Sequence, residues 1–121
     1  MAWRDDVWAA VCLVPTGRVV AYSDVAAFLG HPRRARQVGT SLGGLDPAGA
    51  SRVPWHRVVN AAGFISLRGS FVSKDTQRAL LRAEGIVVGE DYVVADFVTV
   101  RYSFPAPRLV PKDRRSAADV P

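Results

Sequence analysis

The chain has 121 residues, the size of one ordinary domain and too short for two independent cores. Hydrophobic residues make up 49% and charged residues 22%, with a mean hydropathy of +0.08, a balance that excludes disordered, fibrous and membrane-spanning classes. The net charge is +5, and its placement says more than its size. Residues 31–70 hold Arg33, Arg34, Arg36, Arg52, Arg57 and Arg68 against Asp46 alone, while the rest of the chain balances ten basic against ten acidic residues. A localised positive field points to a polyanion, nucleic acid first; a merely solvated basic face is the alternative.

No apolar run reaches the roughly 20 residues that span a bilayer, and the first residues lack the basic-then-apolar order of a signal peptide. No membrane contact and a cytoplasmic location, nucleoid-associated in a bacterium, are therefore expected. Cys12 is the one cysteine, so internal disulfides are excluded. With two histidines and no CxxC pair, no zinc ligand set exists either, and no metal or cofactor is expected.

In chain order, Val7, Trp8, Val11 and Cys12 fall at helical spacing within residues 3–13, with Asp5 and Asp6 where the helix dipole favours anions. Pro15, Thr16 and Gly17 stop that helix. After a short extended piece at 18–21, Ser23 is the expected N-cap of a second helix that buries Val25, Ala26, Phe28 and Leu29 and ends at Gly30. A third helix is predicted from Pro32 to Leu42, with Ala35, Val38, Gly39 and Leu42 turned inward and Arg33, Arg34, Arg36, Gln37 and Thr40 outward. Two short helices joined at a glycine, the second with a basic polar face, describe a helix-turn-helix, although small bundles without DNA also contain such pairs.

Residues 45–51 read as a loop. Residues 53–60, VPWHRVVN, set a proline, an aromatic, a histidine and an arginine between apolar flanks, and Ala61 to Gly63 turn the chain. Ser73 is the expected cap of a further helix with Leu80, Leu81 and Ile86 inward, ended by Gly85. Residues 92–102 predict a strand or hairpin arm. Residues 103–121, with Pro105, Pro107 and Pro111, read as a flexible C-terminal tail on a domain spanning 1–102.

The segments PTGRVVAYSDVA (15–26), ARQVG (35–39) and PWHRVVNAAG (54–63) resemble, in order and spacing, the C-terminal domain of the O6-alkylguanine-DNA alkyltransferases. The resemblance covers about residues 5–86. Its implied fold is mainly α: a small winged-helix/helix-turn-helix bundle, with a short C-terminal β element. In those enzymes the cysteine of PCHRV accepts the alkyl group; here Trp55 occupies its place, as in the non-catalytic alkyltransferase-like branch. Displacement at the alkyl carbon needs a thiolate, and indole offers no such lone pair. No enzymatic activity, and no catalytic residue, is therefore expected. Cys12 is expected to be an inert core residue beside Val7, Trp8 and Val11.

The resemblance further implies minor-groove binding and rotation of the damaged nucleotide out of the stack. Arg36 matches the intercalating arginine, a planar cation suited to stacking in the vacated space. Tyr22 matches the tyrosine that crowds the adjacent phosphate. Arg33, Arg34, Gln37 and Thr40 complete the DNA-facing set, and small Ala35 and Gly39 allow close backbone approach. Trp55, His56, Val58, Ser66, Leu67 and Arg68 match the lesion pocket, with Arg68 placed for a cation–π contact with the base. His56 and Glu84 match the enzymes' hydrogen-bond relay, with a structural role here, while Arg57 and Asn60 are read as fold-holding polar residues. The asparagine hinge that follows the recognition helix in the family has no counterpart in residues 43–49. The partners implied are double-stranded DNA containing O6-alkylguanine and, from the family alone, nucleotide excision repair proteins; a monomer is expected. Two rival readings stay open: a winged-helix regulator that reads base sequence, and an active alkyltransferase with another acceptor.

Overall fold

A computed structural model describes residues 2–67, 69–70 and 72–105. In chain order the elements are α1 (Trp3–Val11), β1 (Val20–Ala21), α2 (Tyr22–Phe28), α3 (Ala35–Gly43), α4 (Pro47–Arg52), a single 3-10 turn (Trp55–Arg57), β2 (Val58–Val59), α5 (Lys74–Ala83) and α6 (Phe97–Val100). The strands pair in parallel, Val20 with Val58 and Ala21 with Val59. Single bridges Phe64–Val93, Val88–Val94 and Val19–Arg101 extend this small β region.

The two-residue alternation of the strands divides the apolar interior. Val20 and Val58 face one cluster with Val7, Val11, Val25, Val38, Leu42, Trp55 and Leu67. Val19 and Val59 face a second with Ile65, Leu81, Ile86, Val88 and Val94. The first cluster joins α1, α2 and α3; the second seats α5.

The helix-turn-helix forms with shifted ends. α2 starts at Tyr22, not after Ser23, because the Asp24 carboxylate accepts the Ala21 N–H at 2.9 Å. Gly30 is left-handed at φ +84°, as a helix-ending glycine should be. α3 begins at Ala35, three residues later than predicted: Pro32 and Arg33 lie in a turn closed by Arg34 N–H donating to the His31 carbonyl at 2.9 Å.

Four other expectations are corrected. Residues 47–52 are helical, with Asp46 capping the Gly49 N–H at 2.7 Å and Pro47 in the first turn. Leu80 faces outward at 38% exposure, and the position four residues before Leu81 that turns fully inward is Gln77. The expected arm at 92–102 is interrupted: Tyr92 and Asp96 take positive φ of 65° and 53°, and Phe97–Val100 form α6. The packed chain also continues past Tyr102, since the Phe104 ring stacks on Phe28 at 4.5 Å and meets Tyr102 edge-on at 5.3 Å. Residues 106–121 of the expected tail lie outside the described residues.

The C-terminal stretch also closes onto α2. Arg101 donates to both Asp24 oxygens at 2.6 and 2.9 Å, and Tyr102 N–H donates to Val19 O at 2.7 Å.

Candidate nucleic-acid interface

α3 is held from behind by its apolar residues and by one directional bond. Val38 and Leu42 are fully buried, and Trp8 Nε1–H donates to the Ser41 carbonyl at 3.1 Å. This fixes the opposite face outward. There, Tyr22, Ala35, Arg36, Gly39, Thr40, Ser66 and Leu67 line an open cleft of about 390 Å³. Ala35 and Gly39, predicted to point inward, therefore lie on the cleft side, partly exposed. A Cβ on Gly39 would stand 3.7 Å from the Tyr22 ring, so the missing side chain keeps the helix backbone open to an approaching partner.

Across the cleft the Tyr22 hydroxyl pairs with Ser66 Oγ at 3.5 Å. Burial raises the Tyr22 phenol above its ordinary value of 10.0, partly offset by the Ser66 bond, so it meets a partner as a neutral donor.

The basic residues fall into three groups. Among the described residues the guanidiniums of Arg33, Arg36 and Arg52 meet no carboxylate, and all three residues are exposed. Arg34 lies over the Trp3 ring at 5.3 Å, which also meets His31 edge-on at 5.6 Å. Arg57 contributes nothing to an outward field, being paired with Glu84 at 2.7 Å. Among the described arginines of residues 31–70, Arg33, Arg34 and Arg36 thus put charge without a carboxylate partner on α3 and the turn before it, and Arg52 adds one on α4. Gln37 is exposed on α3 but is not on the cleft wall, and Arg68 lies outside the described residues.

The residues below the cleft are interior ones. Trp55 is 2% exposed and Val58 fully buried, both in the apolar cluster that also holds Leu67, and neither lines the cleft, whose wall here is Ser66 and Leu67. His56 Nε2 and Glu84 Oε2 are 2.7 Å apart. Because the carboxylate can only accept, Nε2 carries the proton and Nδ1 is bare. Burial lowers the His56 imidazole below its ordinary value, against the upward pull of Glu84, so the ring is neutral near pH 7. For Glu84, burial would raise the carboxyl, but Arg57, the Gly17 N–H and His56 outweigh it and hold the value at about 2. With a neutral imidazole beside it, the decisive cation is Arg57, which also donates to Val14 O and Thr16 Oγ1 at 2.8 and 2.9 Å. Asn60 Oδ1 accepts the N–H groups of Ala62 and Phe64, both at 2.9 Å, so both residues read as fold-holding do hold it.

The sequence family described as 6-O-methylguanine DNA methyltransferase, DNA binding domain, matches residues 2–86. Over 82 residues the chain is 51% identical to the DNA base-flipping protein of Escherichia coli, and 40% identical to alkyltransferase-like protein 1 of Schizosaccharomyces pombe. The chain belongs to the O6-methylguanine DNA methyltransferase family, in its alkyltransferase-like branch. Each alignment takes in 68% of this chain; it spans 60% of the bacterial protein and 74% of the yeast one. The crystal structure of S. pombe Atl1 in complex with damaged DNA containing O6-carboxymethylguanine superposes with a TM-score of 0.74 at 32% identity, covering 84% of this chain and 94% of that one. Mycobacterium tuberculosis O6-methylguanine methyltransferase is also similar, with a TM-score of 0.60 at 30% identity, but the match covers only 55% of its chain.

Within this alkyltransferase-like fold, three site-supporting residues escaped the sequence reading. Gln77 Nε2 donates to the carbonyls of His56 and Val58 at 3.1 and 2.9 Å, holding the backbone on either side of Arg57; its place on the inner face of α5 was the available signal. Trp8 was read only as core, yet its indole N–H positions α3. Gly69 abuts α3 by a contact that no sequence pattern announces. One reading is reversed: Cys12 is exposed, not buried. It borders a separate cavity of about 430 Å³ with residues 50–54, His56, Arg57 and Leu80.

Proposed function

We propose that this chain senses O6-alkylguanine in duplex DNA without repairing it. α3 would enter the minor groove, Arg36 would fill the space left by the rotated nucleotide, and the base would be received in the cleft bounded by Tyr22, Ser66 and Leu67. The observation that carries this reading is Arg36 itself: an exposed guanidinium with no carboxylate among the described residues, on the rim of an open cleft and flanked by Ala35 and Gly39. A duplex supplies the missing anions, and a planar cation can both stack and hydrogen-bond inside it. Because Trp55 stands at the acceptor position of PCHRV, that position offers no thiolate to take the alkyl group. The lesion would persist in the complex and be passed to nucleotide excision repair.

The test compares affinities for O6-methylguanine and unmodified guanine duplexes of one sequence. Tighter binding to the lesion, no covalent transfer of a labelled methyl group, and at least a tenfold loss for Arg36→Ala with an unchanged melting temperature are expected. Equal affinity for the two duplexes would favour a sequence-reading regulator. Label on the protein would favour an enzyme, and Cys12→Ser would then show whether the exposed thiol is the acceptor.

A further inference from the structure

The segment that forms one wall of the cleft is attached through three of its described residues, Ile65, Ser66 and Gly69. Ile65 N–H donates to Tyr92 O at 2.9 Å, Ser66 meets Tyr22, and Gly69 sits directly against the last residue of α3. The space a Cβ would take at Gly69 is already filled by Gly43: its Cα and carbonyl carbon would lie 2.9 Å away, and its carbonyl oxygen closer still. Real Cβ atoms do not approach backbone so closely, so two chain segments meet here at a separation that only glycine at position 69 permits. Neither residue bears a side chain that could yield.

The contact has a mechanical consequence. α3 is clamped from behind by Trp8 at Ser41 and bears on the loop through Gly43 at its end. Movement of the helix on a duplex is therefore transmitted to the loop that carries Ser66 and Leu67.

We propose that Gly69 is a positioning residue that couples the recognition helix to the lesion-receiving loop. Seated on Gly43, it sets the width of the cleft once α3 is on DNA; this rests on the reading of α3 and the cleft as the DNA-binding site. Gly69→Ala forces the loop away from Gly43. Gly69 and Ser70 are exposed, so the displacement can be absorbed outward without unfolding the core.

Hydrogen exchange of the free protein tests the coupling without DNA. In Gly69→Ala, the amides of residues 65–67 and 69–70 and those of residues 40–44 should exchange faster together, at least fivefold, while those of α5 stay unchanged and the melting temperature stays within a few degrees. The neighbouring Ser70→Ala should leave both segments as they are. In DNA binding, Gly69→Ala should hold the unmodified duplex within about twofold of the parent yet lose about tenfold of the preference for O6-methylguanine. Faster exchange in the loop alone, an unchanged lesion preference, or an equal loss on both duplexes would overturn the proposal. If the parent itself shows no lesion preference, the functional reading fails, and the exchange result still decides whether the helix and loop move as one.

Discussion

At Gly39, stability and binding pull in opposite directions. Glycine inside a helix costs about 1 kcal/mol relative to alanine, and a Cβ here would make only an ordinary contact with the Tyr22 ring, at 3.7 Å. Gly39→Ala should therefore raise thermal stability by about 0.5–1 kcal/mol while weakening DNA binding several-fold, because the added methyl stands on the face proposed to meet the groove. Thermal melts and a duplex titration of the same preparation check both signs. A gain in stability with unchanged affinity would remove this helix face from the interface. Trp55 presents the reverse case: its sequence context marked it as part of the site, but its burial in the core keeps it off the cleft lining, so its substitution acts first on packing.

Among the elements, legibility followed the kind of force that defines each one. α1, α2 and α3 were readable because apolar residues recur at helical spacing, with Val7, Val11, Val25, Val38 and Leu42 buried, and α5 because Ser73 caps it and Leu81 anchors it. Their ends were less so: α2 begins where Asp24 reaches back to Ala21, and α3 begins only after the turn at Pro32 has closed on His31. α4 has almost no apolar periodicity and is made by its cap, Asp46 followed by Pro47, so it looked like a loop rich in small residues. Asp46→Ala should cost about 1 kcal/mol, read as a lower midpoint in urea, and should loosen the segment leading into Trp55. The stretch after Tyr92 has the residue types of a strand, yet the left-handed residues Tyr92 and Asp96 break it, and nothing in residue preference announces them. The residues that line the cleft were all named from the resemblance, but Trp55, His56 and Val58 are not among them, because apolar packing and the Glu84 bond draw them inward; the Gly43–Gly69 approach depends on two distant backbones meeting, which is visible only in three dimensions.

For the molecule as a whole, Glu84 joins parts of the chain that no single element connects: Gly17, His56 and Arg57, and through Arg57 also Val14 and Thr16. Its carboxyl is held at about 2, below its ordinary 4.5, so the folded state binds this proton less readily than the unfolded state does. That stability is fully present above about pH 4.5 and is lost as pH falls towards 2. His56, also lowered, adds a loss of the same sign as pH falls below its ordinary range near 6.5. Urea midpoints measured from pH 7 to pH 2 should fall in both windows, and His56→Gln should abolish the upper one only. The pairing of Asp24 with Arg101 has a different reach, since it joins residues 77 apart. The helix-turn-helix is encoded in the first third of the chain, but α2 acquires this partner, and Phe28 its stacked ring, only when Arg101 and Phe104 exist. Contacts so distant in sequence close late and slow folding. During synthesis, then, the helix-turn-helix waits for a contact supplied by a residue translated 77 positions after Asp24.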